Sequence, residues 1–568
     1  MSASAQTVAD SIVAALKRHH IDCFFGQSLP SKLVLACEAA GIRQISYRQE
    51  NSGGAMADGY ARISGRIGMV VAQNGPAATL LVPAFAEAMM AGIPMIAFVQ
   101  EVETPTIDRN AFQELDHFSL YKGVTKFCRK IDDPTRVDDY IDMAITAATT
   151  GKPGPVALLL PADVLRGPAG EAPFTRTASL GHWPLDRTCA SREAIAKAAT
   201  WIAGADAPII ISGGGVHSSA ASGAMMDLIE TTHMPAFSTN MGKGTIDETH
   251  PLAGGVQGAL NGPASLAFQT RDLLDKADVV LLVGTRTNQN GTDNWKIYPK
   301  SARFIHIDID PMEIGRTYEA LRLQGDARET LEALTLAISK LDLSKREKAR
   351  PQIEQRLSKA WADFEAARSK YSGSNESPIR PERVMAELQP LLAPETLVVA
   401  DASYSSMWIV GQLKNGTAGA RFLTPRGLAG LGWGMPMGLG AAIARPGAQV
   451  VALVGDGGFA HNWAELETAV RHQIPLVTIV LNNGILGFQK DAETVKFGEY
   501  TTACHFHEVD HAAVARAVGM DSVKVDAVGD IGPALKTAFA SDKPWLIEIS
   551  TSPEAHPPLS LFAGSLDK

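Results

Sequence analysis

Short apolar segments alternate along the chain with longer segments in which apolar residues recur at helical spacing. The clearest apolar segments are residues 67–72, 94–99, 279–283, 450–454 and 476–481. Uninterrupted apolar runs of this length are typical of strands that are buried on both faces of a parallel sheet. Between the last two lies the amphipathic stretch 463–472, in which Leu466, Ala469 and Val470 share one face. Repeated strand–helix alternation predicts an α/β protein with doubly wound parallel sheets.

The alternation divides into three blocks, and a chain of 568 residues is long enough for three domains. We predict domains at residues 1–168, 189–342 and 379–556. A charged linker, 343–378, separates the last two, and we expect Ser344 to Lys370 to form a solvated connecting helix that is broken near Pro351. Residues 557–568 form a short tail. The sequence leaves open whether this tail covers an active site or is disordered.

Composition and charge narrow the class of protein. Hydrophobic residues make up 45% and charged residues 20%, as in ordinary globular proteins. The 52 basic and 61 acidic residues give a net charge of −9, which argues against a nucleic-acid partner. The five cysteines lack metal-ligand spacing and are odd in number, which favours reduced thiols. No signal peptide or membrane span is visible, so we expect a cytoplasmic protein with no membrane partner.

Glycine and polar residues follow two of the apolar strands in the third block. The sequence Gly455-Asp456-Gly457-Gly458 comes directly after the first strand, and Asn482-Asn483 directly after the second. Open parallel sheets bind ligands at the carboxyl ends of their strands. Glycines let the backbone approach a phosphate, and a carboxylate with an amide oxygen suits a hard cation such as Mg²⁺. The pattern therefore predicts a phosphate and metal site in this block.

This unit resembles the diphosphate-binding motif of thiamine diphosphate (ThDP) enzymes, and further motifs resemble their acetohydroxyacid (acetolactate) synthase-like branch. The matching segments follow in the family's order along nearly the whole chain. They are Arg48-Gln49-Glu50-Asn51, Ala57 to Arg62, Asn74 to Thr79, Ala111 to Glu114, Gly154-Pro155-Val156, His306 to Pro311 and Leu431 to Pro436. The resemblance implies an N-terminal pyrimidine-binding domain, a central dinucleotide-type domain and a C-terminal diphosphate-binding domain.

The resemblance also implies roles for individual residues. Glu50 matches the glutamate that hydrogen-bonds the pyrimidine of ThDP and promotes the tautomer that takes the C2 proton, after which the ylid attacks a carbonyl. Gln113 is the second expected catalytic residue. Asp456, Asn483 and the carbonyl of Ile485 match the Mg²⁺ ligands. The other expected cofactor contacts are Asn74, Pro76, Ala429, Leu431, Gly455, Gly457 and Gly458.

Leu431 occupies the place of the bulky apolar residue that holds ThDP bent into a V. In the family, the glutamate-bearing domain of one subunit faces the diphosphate-binding domain of another. We therefore expect Glu50 and Asp456 to meet across a dimer interface of a homo-oligomer, usually a tetramer of C₂ pairs. Acetohydroxyacid synthases hold FAD in the central domain, and related lyases hold ADP or nothing there. FAD and ADP are thus both candidates for a second cofactor.

Three positions depart from true acetohydroxyacid synthases. Gln27-Ser28-Leu29-Pro30 replaces their Tyr-Pro-Gly-Gly turn, Asn290 replaces an arginine that helps hold the acceptor carboxylate, and Ala492 replaces a tryptophan that selects larger acceptors. Loss of the guanidinium removes a strong carboxylate anchor, and loss of the indole implies a wider or differently shaped pocket. We expect the substrate pocket to contain Gln27, Ser28, Phe112, Asn290, Phe488 and Gln489.

The sequence therefore predicts a ThDP- and Mg²⁺-dependent decarboxylase or carboligase of acetolactate-synthase type, acting on a 2-ketoacid or similar small carbonyl donor. A 2-hydroxyacyl-CoA or hydroxyketone lyase is the alternative, since these relatives also lack the arginine. A non-enzymatic ThDP- or nucleotide-binding regulatory protein is a third hypothesis. The segment Cys504-His505-Phe506-His507 invites a metal or acid–base role, yet we expect it to lie in a surface loop.

Overall fold

Three six-stranded sheets make up the framework of the computed structural model, which describes residues 6–562 and Leu566. Within these residues, neighbouring strands of each sheet pair in parallel. Helices connect successive strands and cover the sheets. The predicted α/β class with three doubly wound parallel sheets is therefore confirmed.

The strands follow one another in chain order through the three sheets. The first sheet consists of β1 (Cys23–Phe25), β2 (Arg43–Ile45), β3 (Gly68–Ala72), β4 (Met95–Glu101), β5 (Phe127–Lys130) and β6 (Val156–Pro161). The second consists of β7 (Pro208–Ser212), β8 (Ala236–Ser238), β9 (Ala253–Val256), β10 (Val279–Val283), β11 (Arg303–Asp308) and β12 (Ala320–Gln324). The third consists of β13 (Leu397–Ala400), β14 (Arg421–Leu423), β15 (Val450–Gly455), β16 (Val477–Asn482), β17 (Asp521–Val525) and β18 (Trp545–Ser550).

The first and third sheets share one topology. Their strand orders are β2-β1-β3-β4-β6-β5 and β14-β13-β15-β16-β18-β17. The middle sheet runs β12-β11-β10-β7-β8-β9, which is the strand order of dinucleotide-binding domains. The two terminal domains are thus alike, and the central domain has the dinucleotide-type fold that the sequence predicts.

Helices of the first domain are α1 (Val8–Arg18), α2 (Ser31–Ala39), α3 (Glu50–Ser64), α4 (Pro76–Leu80), α5 (Val82–Ala91), α6 (His117–Tyr121), α7 (Val137–Thr149) and α8 (Ala162–Arg166). The central domain has α9 (Arg192–Gly204), α10 (Gly214–Ser218), α11 (Ser222–Thr232), α12 (Leu266–Gln269), α13 (Arg271–Asp275) and α14 (Ala327–Ile338). Then follow α15 (Ser344–Ser372), α16 (Pro381–Leu388), α17 (Tyr404–Gln412), α18 (Gly434–Ala444), α19 (Asp456–Phe459), α20 (Glu465–Arg471), α21 (Gly487–Phe497), α22 (His511–Ala517) and α23 (Ile531–Phe539). Across this described part of the chain, none of the helices combines the length and the apolar character needed to span a bilayer.

Helix α15 corrects the expectation of a break at Pro351. It continues from Ser344 through Pro351 to Ser372. Proline removes one backbone N–H from the helical ladder, which usually kinks or ends a helix. Here Pro351 lies on the exposed face of the helix, so the carbonyl that it leaves without a partner can be hydrated. The charged segment therefore forms one continuous helix that joins the central and third domains.

The first and third domains share one hydrophobic core, which contains residues of α3 and α18. The two helices pack very closely at glycines. A Cβ atom on Gly59 would overlap the carbonyl oxygen of Met437, and one on Gly440 would overlap that of Met56. Close approach therefore requires the absence of a side chain at these positions. The contact fixes the position of Glu50, the first residue of α3, relative to the third domain.

A buried ion pair joins the central domain to the third. The ammonium of Lys243 lies 3.0 and 2.9 Å from the two carboxylate oxygens of Glu248, and both side chains are almost completely buried. The backbone N–H of Asn415 donates to the same carboxylate at 3.0 Å. The Lys243 ammonium also lies over the ring of Phe422. The contacts with Asn415 and Phe422 thus link this pair of the central domain to the third domain.

We expect Glu248→Gln to lower the free energy of unfolding by about 3 kcal/mol, because the ammonium of Lys243 then lacks a counter-charge inside the protein. Urea unfolding followed by tryptophan fluorescence measures this change. The control is Glu332→Gln, at an exposed glutamate of α14, which should shift stability by less than about 0.5 kcal/mol. Equal destabilisation by both variants would show that the buried pair contributes nothing specific.

Candidate active site

The predicted phosphate and metal residues meet at the carboxyl edge of the third sheet. Strands β15 and β16 pair from Val451↔Val477 to Gly455↔Leu481, so the residues that follow both strands lie side by side. The N–H of Gly484 donates to Asp456 Oδ2 at 3.0 Å, and the N–H of Ile485 donates to Asn483 Oδ1 at 3.2 Å. These bonds orient the carboxylate and the amide within one loop pair.

A cavity of about 70 Å³ opens between these loops. Its lining includes Leu431, Gly455, Asp456, Gly457, Gly458, Asn483 and Ile485. Burial raises the pKa of Asp456 to about 6, against the opposing effect of nearby backbone N–H groups. A bound cation would supply the stabilisation that burial removes from this carboxylate. A carboxylate, an amide oxygen and a backbone carbonyl are oxygen donors that fit Mg²⁺.

Two glycines of the 455–458 segment lie in close contact with other side chains. A Cβ atom on Gly458 would overlap the carboxylate of Asp401, and one on Gly457 would lie 2.7 Å from the ring of Phe506. Asp401 is buried and accepts hydrogen bonds from the N–H groups of Ala402, Gly432, Trp433 and Gly434. Burial raises the pKa of Asp401, and these N–H groups oppose the rise. The glycine cradle and the donor set fit a diphosphate bound through a divalent metal.

The pyrimidine-side residues are held by a second network at the carboxyl end of β3. The Asn74 side chain donates to the carbonyls of Phe112 and Gln113 at 3.1 Å each. The Gln113 side chain accepts from the Gln73 amide at 2.5 Å. Gln113 has a φ of 61°, and a Cβ on Gly75 would lie 2.8 Å from its carbonyl oxygen. The structure therefore brings Asn74, Phe112 and Gln113 together.

A buried histidine that the motif analysis missed supports this turn. The N–H of Gly75 donates to His117 Nε2 at 2.8 Å, so the proton of the ring is on Nδ1. His117 Nδ1 then donates to Glu101 Oε1 at 2.8 Å. The pair fixes the start of α4, where Pro76 is the first residue. Sequence reasoning had no signal for it because Glu101 and His117 belong to different elements.

Within one chain, Glu50 does not line the cavity that contains Asp456. As far as the chain is described, that cavity is lined by residues between 381 and 555. The backbone N–H groups of Arg48 and Gln49 donate instead to the buried Glu465, and Ser52 donates to Asn462. The first turn of α3 is thus fixed against its own third domain. Within one chain, Glu50 therefore lies outside the cavity that Asp456 lines.

The predicted substrate residues are also separate in one chain. Gln27 and Ser28 line an open groove with Tyr47 and Arg48, whereas Asn290 lines a cavity of the central domain. Phe112 is 84% exposed. On α21, Gln489 donates to Glu493 at 2.7 Å, and the ring of Phe488 packs against Tyr404 and Phe562.

The described part of the tail packs against α21. Phe562 is buried, and its ring centroid lies 6.3 Å from that of Phe488. Ala492 and Phe488 both pack against the hydrophobic cluster that contains Leu559 and Phe562. Ser560 donates a backbone hydrogen bond to Ala259 and a side-chain bond to Asp293 of the central domain. The tail therefore bridges two domains next to Ala492; residues 563–565, 567 and 568 of the predicted tail lie outside the described residues.

The segment 504–507 lies at the surface over the loop 483–485. Cys504 is buried, whereas His505, Phe506 and His507 are exposed. The N–H of Phe506 donates to the carbonyl of Gly484. Across residues 6–562 and Leu566, no group of three or more His, Cys, Asp or Glu side chains could hold a metal ion. The surface-loop prediction agrees with the structure, and the segment covers Gly457.

A cavity of about 550 Å³ lies at the carboxyl edge of the central sheet. Its wall includes Gly214, Gly215, the segment 284–291 and Asp308. Arg62, Arg286, Arg421 and Arg426 also line it. Burial lowers the pKa of Arg421 and that of Arg426 to about 10 each, and it raises the pKa of Asp308 to about 7. The cavity wall thus contains both basic and acidic side chains.

Comparison with known proteins assigns this geometry to a family. Residues 6–120 match the thiamine pyrophosphate enzyme N-terminal TPP binding domain, residues 195–334 the central domain, and residues 401–549 the C-terminal TPP binding domain. The chain therefore belongs to the thiamine pyrophosphate (ThDP) enzyme family. Three domains in this order agree with the three sheets of the structure.

Full-length relatives define the branch of this family. The chain is 32% identical to a probable acetolactate synthase large subunit of Methanocaldococcus jannaschii, over 98% of this chain and 94% of the relative. It is 30% identical to a protein of the same description from Methanococcus aeolicus, over 96% and 92%. It is 28% identical to the acetolactate synthase isozyme 2 large subunit of Escherichia coli, over 95% and 95%. The prediction of a ThDP enzyme of acetolactate-synthase type, with ThDP as its cofactor, is confirmed.

We expect Gly458→Ala to lower the unfolding temperature strongly, because its Cβ overlaps a buried carboxylate that four backbone N–H groups hold in place. Gly457→Ala is the matched control. Its Cβ meets the ring of Phe506, which is 41% exposed and can rotate away. The expected difference is about 2 kcal/mol in unfolding free energy. Calorimetry of both cofactor-free variants measures it, and equal stability would contradict the close contact.

Proposed function

We propose that this chain is a decarboxylase and carboligase that acts on a small 2-ketoacid. The observation that carries the proposal is full-length similarity to acetolactate synthase large subunits in a chain that has Glu50, Asp456 and Asn483 at the motif positions. ThDP, when bound, would supply a C2 carbanion that attacks a carbonyl and a cationic thiazolium ring that accepts the electron pair left by decarboxylation.

The residues of the third domain hold the charged end of the cofactor in this proposal. Asp456, Asn483 and the carbonyl of Ile485 bind Mg²⁺, and Gly455, Gly457 and Gly458 allow the diphosphate to approach the backbone. Bonds from the loop 483–485 support the arrangement, because they already orient both side-chain oxygens. Leu431 and Ala429 contact the middle of the cofactor.

Glu50 holds a proton at the pyrimidine ring, and Gln113, Asn74 and Pro76 line the same side. The separation of Glu50 from the diphosphate cavity in one chain supports a site built from two subunits. We therefore propose a homodimer as the smallest active unit, in a tetramer of C₂ pairs. Exposed apolar residues of the first domain, Leu80, Phe112, Leu115 and Phe118, fit such an interface. We place the enzyme in the cytoplasm.

The acceptor differs from that of biosynthetic acetolactate synthesis in this proposal. Asn290 lacks the guanidinium that binds a carboxylate, and Ala492 is small and packs beside the tail. Gln27, Ser28, Phe112, Phe488 and Gln489 would form the acceptor pocket once a second subunit closes it. An uncharged acceptor such as an aldehyde fits this set better than a second ketoacid, because an isolated carboxylate is costly to desolvate.

We propose that the central cavity binds a nucleotide that contains a diphosphate group, either FAD or ADP. The arginines of its wall provide donors for a diphosphate, and Gly213 is the N-cap of α10, in the position that dinucleotide-binding domains use for phosphate. Asp308, the last residue of β11, suits ribose hydroxyl groups.

The central test is Glu50→Gln in assays of CO₂ release from pyruvate and of hydrogen–deuterium exchange at cofactor C2. We expect both rates to fall by about 10²-fold or more, because the amide cannot exchange a proton with the pyrimidine. ThDP affinity should change little, since the diphosphate and metal contacts remain. Glu193→Gln, at an exposed glutamate of α9, is the control and should behave as the wild type.

Substrate profiling then decides the reaction. CO₂ release from pyruvate with product formation from an added aldehyde supports the proposal. Cleavage of a 2-hydroxyacyl-CoA or of a hydroxyketone without ketoacid turnover would favour the lyase alternative instead. Unchanged C2 exchange in Glu50→Gln would contradict the role of Glu50 whatever the substrate.

For the central cavity we expect ADP to raise the unfolding temperature of the wild-type protein, and a flavin absorption spectrum to appear if FAD co-purifies. Arg286→Met should weaken ADP binding by about tenfold, because one charge-assisted hydrogen bond is lost. Calorimetric titration measures the dissociation constant. Arg192→Met, at an exposed position of α9, is the control; identical ADP affinity in both variants would exclude Arg286 from the site.

A further inference from the structure

The loop 427–434 lies between the first and third domains and carries Leu431. Its first three residues are held by one side chain of the first domain. The N–H groups of residues 427, 428 and 429 donate to the carboxylate of Glu87 at 2.6, 2.6 and 3.2 Å. Glu87 lies on α5 and is buried, and the Arg62 guanidinium lies 3.9 Å from it. A single carboxylate thus organises the start of the loop.

A second buried carboxylate holds the end of the same loop. The N–H groups of residues 432, 433 and 434 donate to Asp401 at 2.9, 3.0 and 3.4 Å. Asp401 follows β13 and also contacts the glycine segment of the diphosphate cavity at Gly458. The carboxylate that holds the end of the loop therefore also packs against the 455–458 segment.

Between the two groups of three N–H donors stand only Gly430 and Leu431. The residues on either side have left-handed backbones: Ala429 has a φ of 62° and Gly432 a φ of 86°. For alanine this conformation is strained, and it persists only where surrounding contacts impose it. The bonds to Glu87 end at Ala429, and those to Asp401 begin at Gly432. The two carboxylates therefore impose a sharp projection of Leu431 from the loop.

The projected side chain reaches the cofactor cavity. Leu431 lines the cavity together with Asp456 and Asn483. A further contact joins the loop to the helix of Glu50, because the Asn462 side chain accepts a hydrogen bond from Ser52 and donates one to the carbonyl of Gly432. The loop that carries Leu431 is thus linked through buried polar contacts to the first turn of α3 in the same chain.

We propose that Glu87 and Asp401 are positioning residues for catalysis, which clamp the loop 427–434 at both ends and hold Leu431 as a rigid wedge against the middle of ThDP. The inference rests on the proposed function, since that function gives Leu431 its contact with the cofactor. It adds that the wedge is set by two domains at once. Glu87 belongs to the first domain, so the packing of that domain on the third becomes part of the cofactor geometry.

The first experiment uses the full-length protein without cofactor. Hydrogen–deuterium exchange with mass spectrometry follows the backbone amides of residues 427–434. We expect Glu87→Gln to accelerate exchange at residues 427–429, and Asp401→Asn at 432–434, by about tenfold or more, because each amide loses its charged acceptor. The matched control is Glu248→Gln, which also removes a buried carboxylate but one that bonds Lys243 and Asn415 instead of the loop. Its loop amides should exchange as in the wild type.

The second experiment uses the ThDP–Mg²⁺ holoenzyme and measures C2 hydrogen–deuterium exchange at saturating cofactor. We expect Glu87→Gln to slow it by about 10- to 100-fold, because a displaced wedge leaves the reacting atoms out of position. Leu431→Ala should slow it at least as much. The double variant Glu87→Gln/Leu431→Ala should be no slower than Leu431→Ala alone, because Glu87 acts through the leucine. Glu248→Gln should exchange as the wild type does.

The outcomes separate this inference from the proposed function. The positioning role would be overturned if the loop amides of Glu87→Gln exchanged at the wild-type rate, or if they exchanged faster while C2 exchange stayed at the wild-type rate. Additive slowing of C2 exchange in the double variant would overturn it as well. If the C2 proton of ThDP exchanges at the wild-type rate in Glu50→Gln, the proposed function itself fails. If C2 exchange is slow in Glu50→Gln but normal in Glu87→Gln, only the inference about Glu87 is contradicted. Should Asp401→Asn fail to fold, Glu87→Gln and the double variant decide alone.

Discussion

The contact between α3 and α18 is close enough that glycine is required at Gly59 and Gly440, where any side chain would overlap a carbonyl oxygen of the facing helix. This approach merges the cores of the first and third domains. It also fixes the first turn of α3 against α20 and brings α5 to the loop 427–434. The shape of the cavity depends on this contact, because the loop 427–434 beside it is held by side chains of both domains.

Buried carboxylates with backbone donors recur around the site. Glu87, Asp401, Glu465 and Asp456 each accept N–H groups from a loop of another element. A buried carboxylate without such donors would be expensive, whereas backbone N–H groups that point at one charge are held in a single geometry. The site is therefore shaped by loops that have little regular structure of their own. The bonds to Glu87 and Glu465 also join the first domain to the third, whereas those to Asp401 and Asp456 lie within the third domain.

Central strands could be predicted from the sequence, and edge strands could not. β4, β10, β15 and β16 contain long apolar runs because both faces are covered, whereas β12 and β17 at sheet edges are partly exposed and lack a continuous apolar run. That Asp456 and Asn483 lie close together was predictable because strand ends of a parallel sheet meet at one edge. Glu87, Asp401 and His117 were missed, since their partners are backbone groups far away in sequence. The predicted helix break at Pro351 was wrong because the local sequence does not show that this face of the helix is exposed to solvent.

The sequence by itself determined the three α/β domains, the family and the residues Glu50, Asp456 and Asn483, because these depend on local periodicity and on motifs at strand ends. Only the tertiary structure decided which residues share a cavity. Gln27, Asn290 and Phe488, expected in one pocket, lie in a groove, a central cavity and a cluster with the tail. Distances between domains follow from side-chain packing and backbone hydrogen bonds over hundreds of residues, and a linear motif does not contain them.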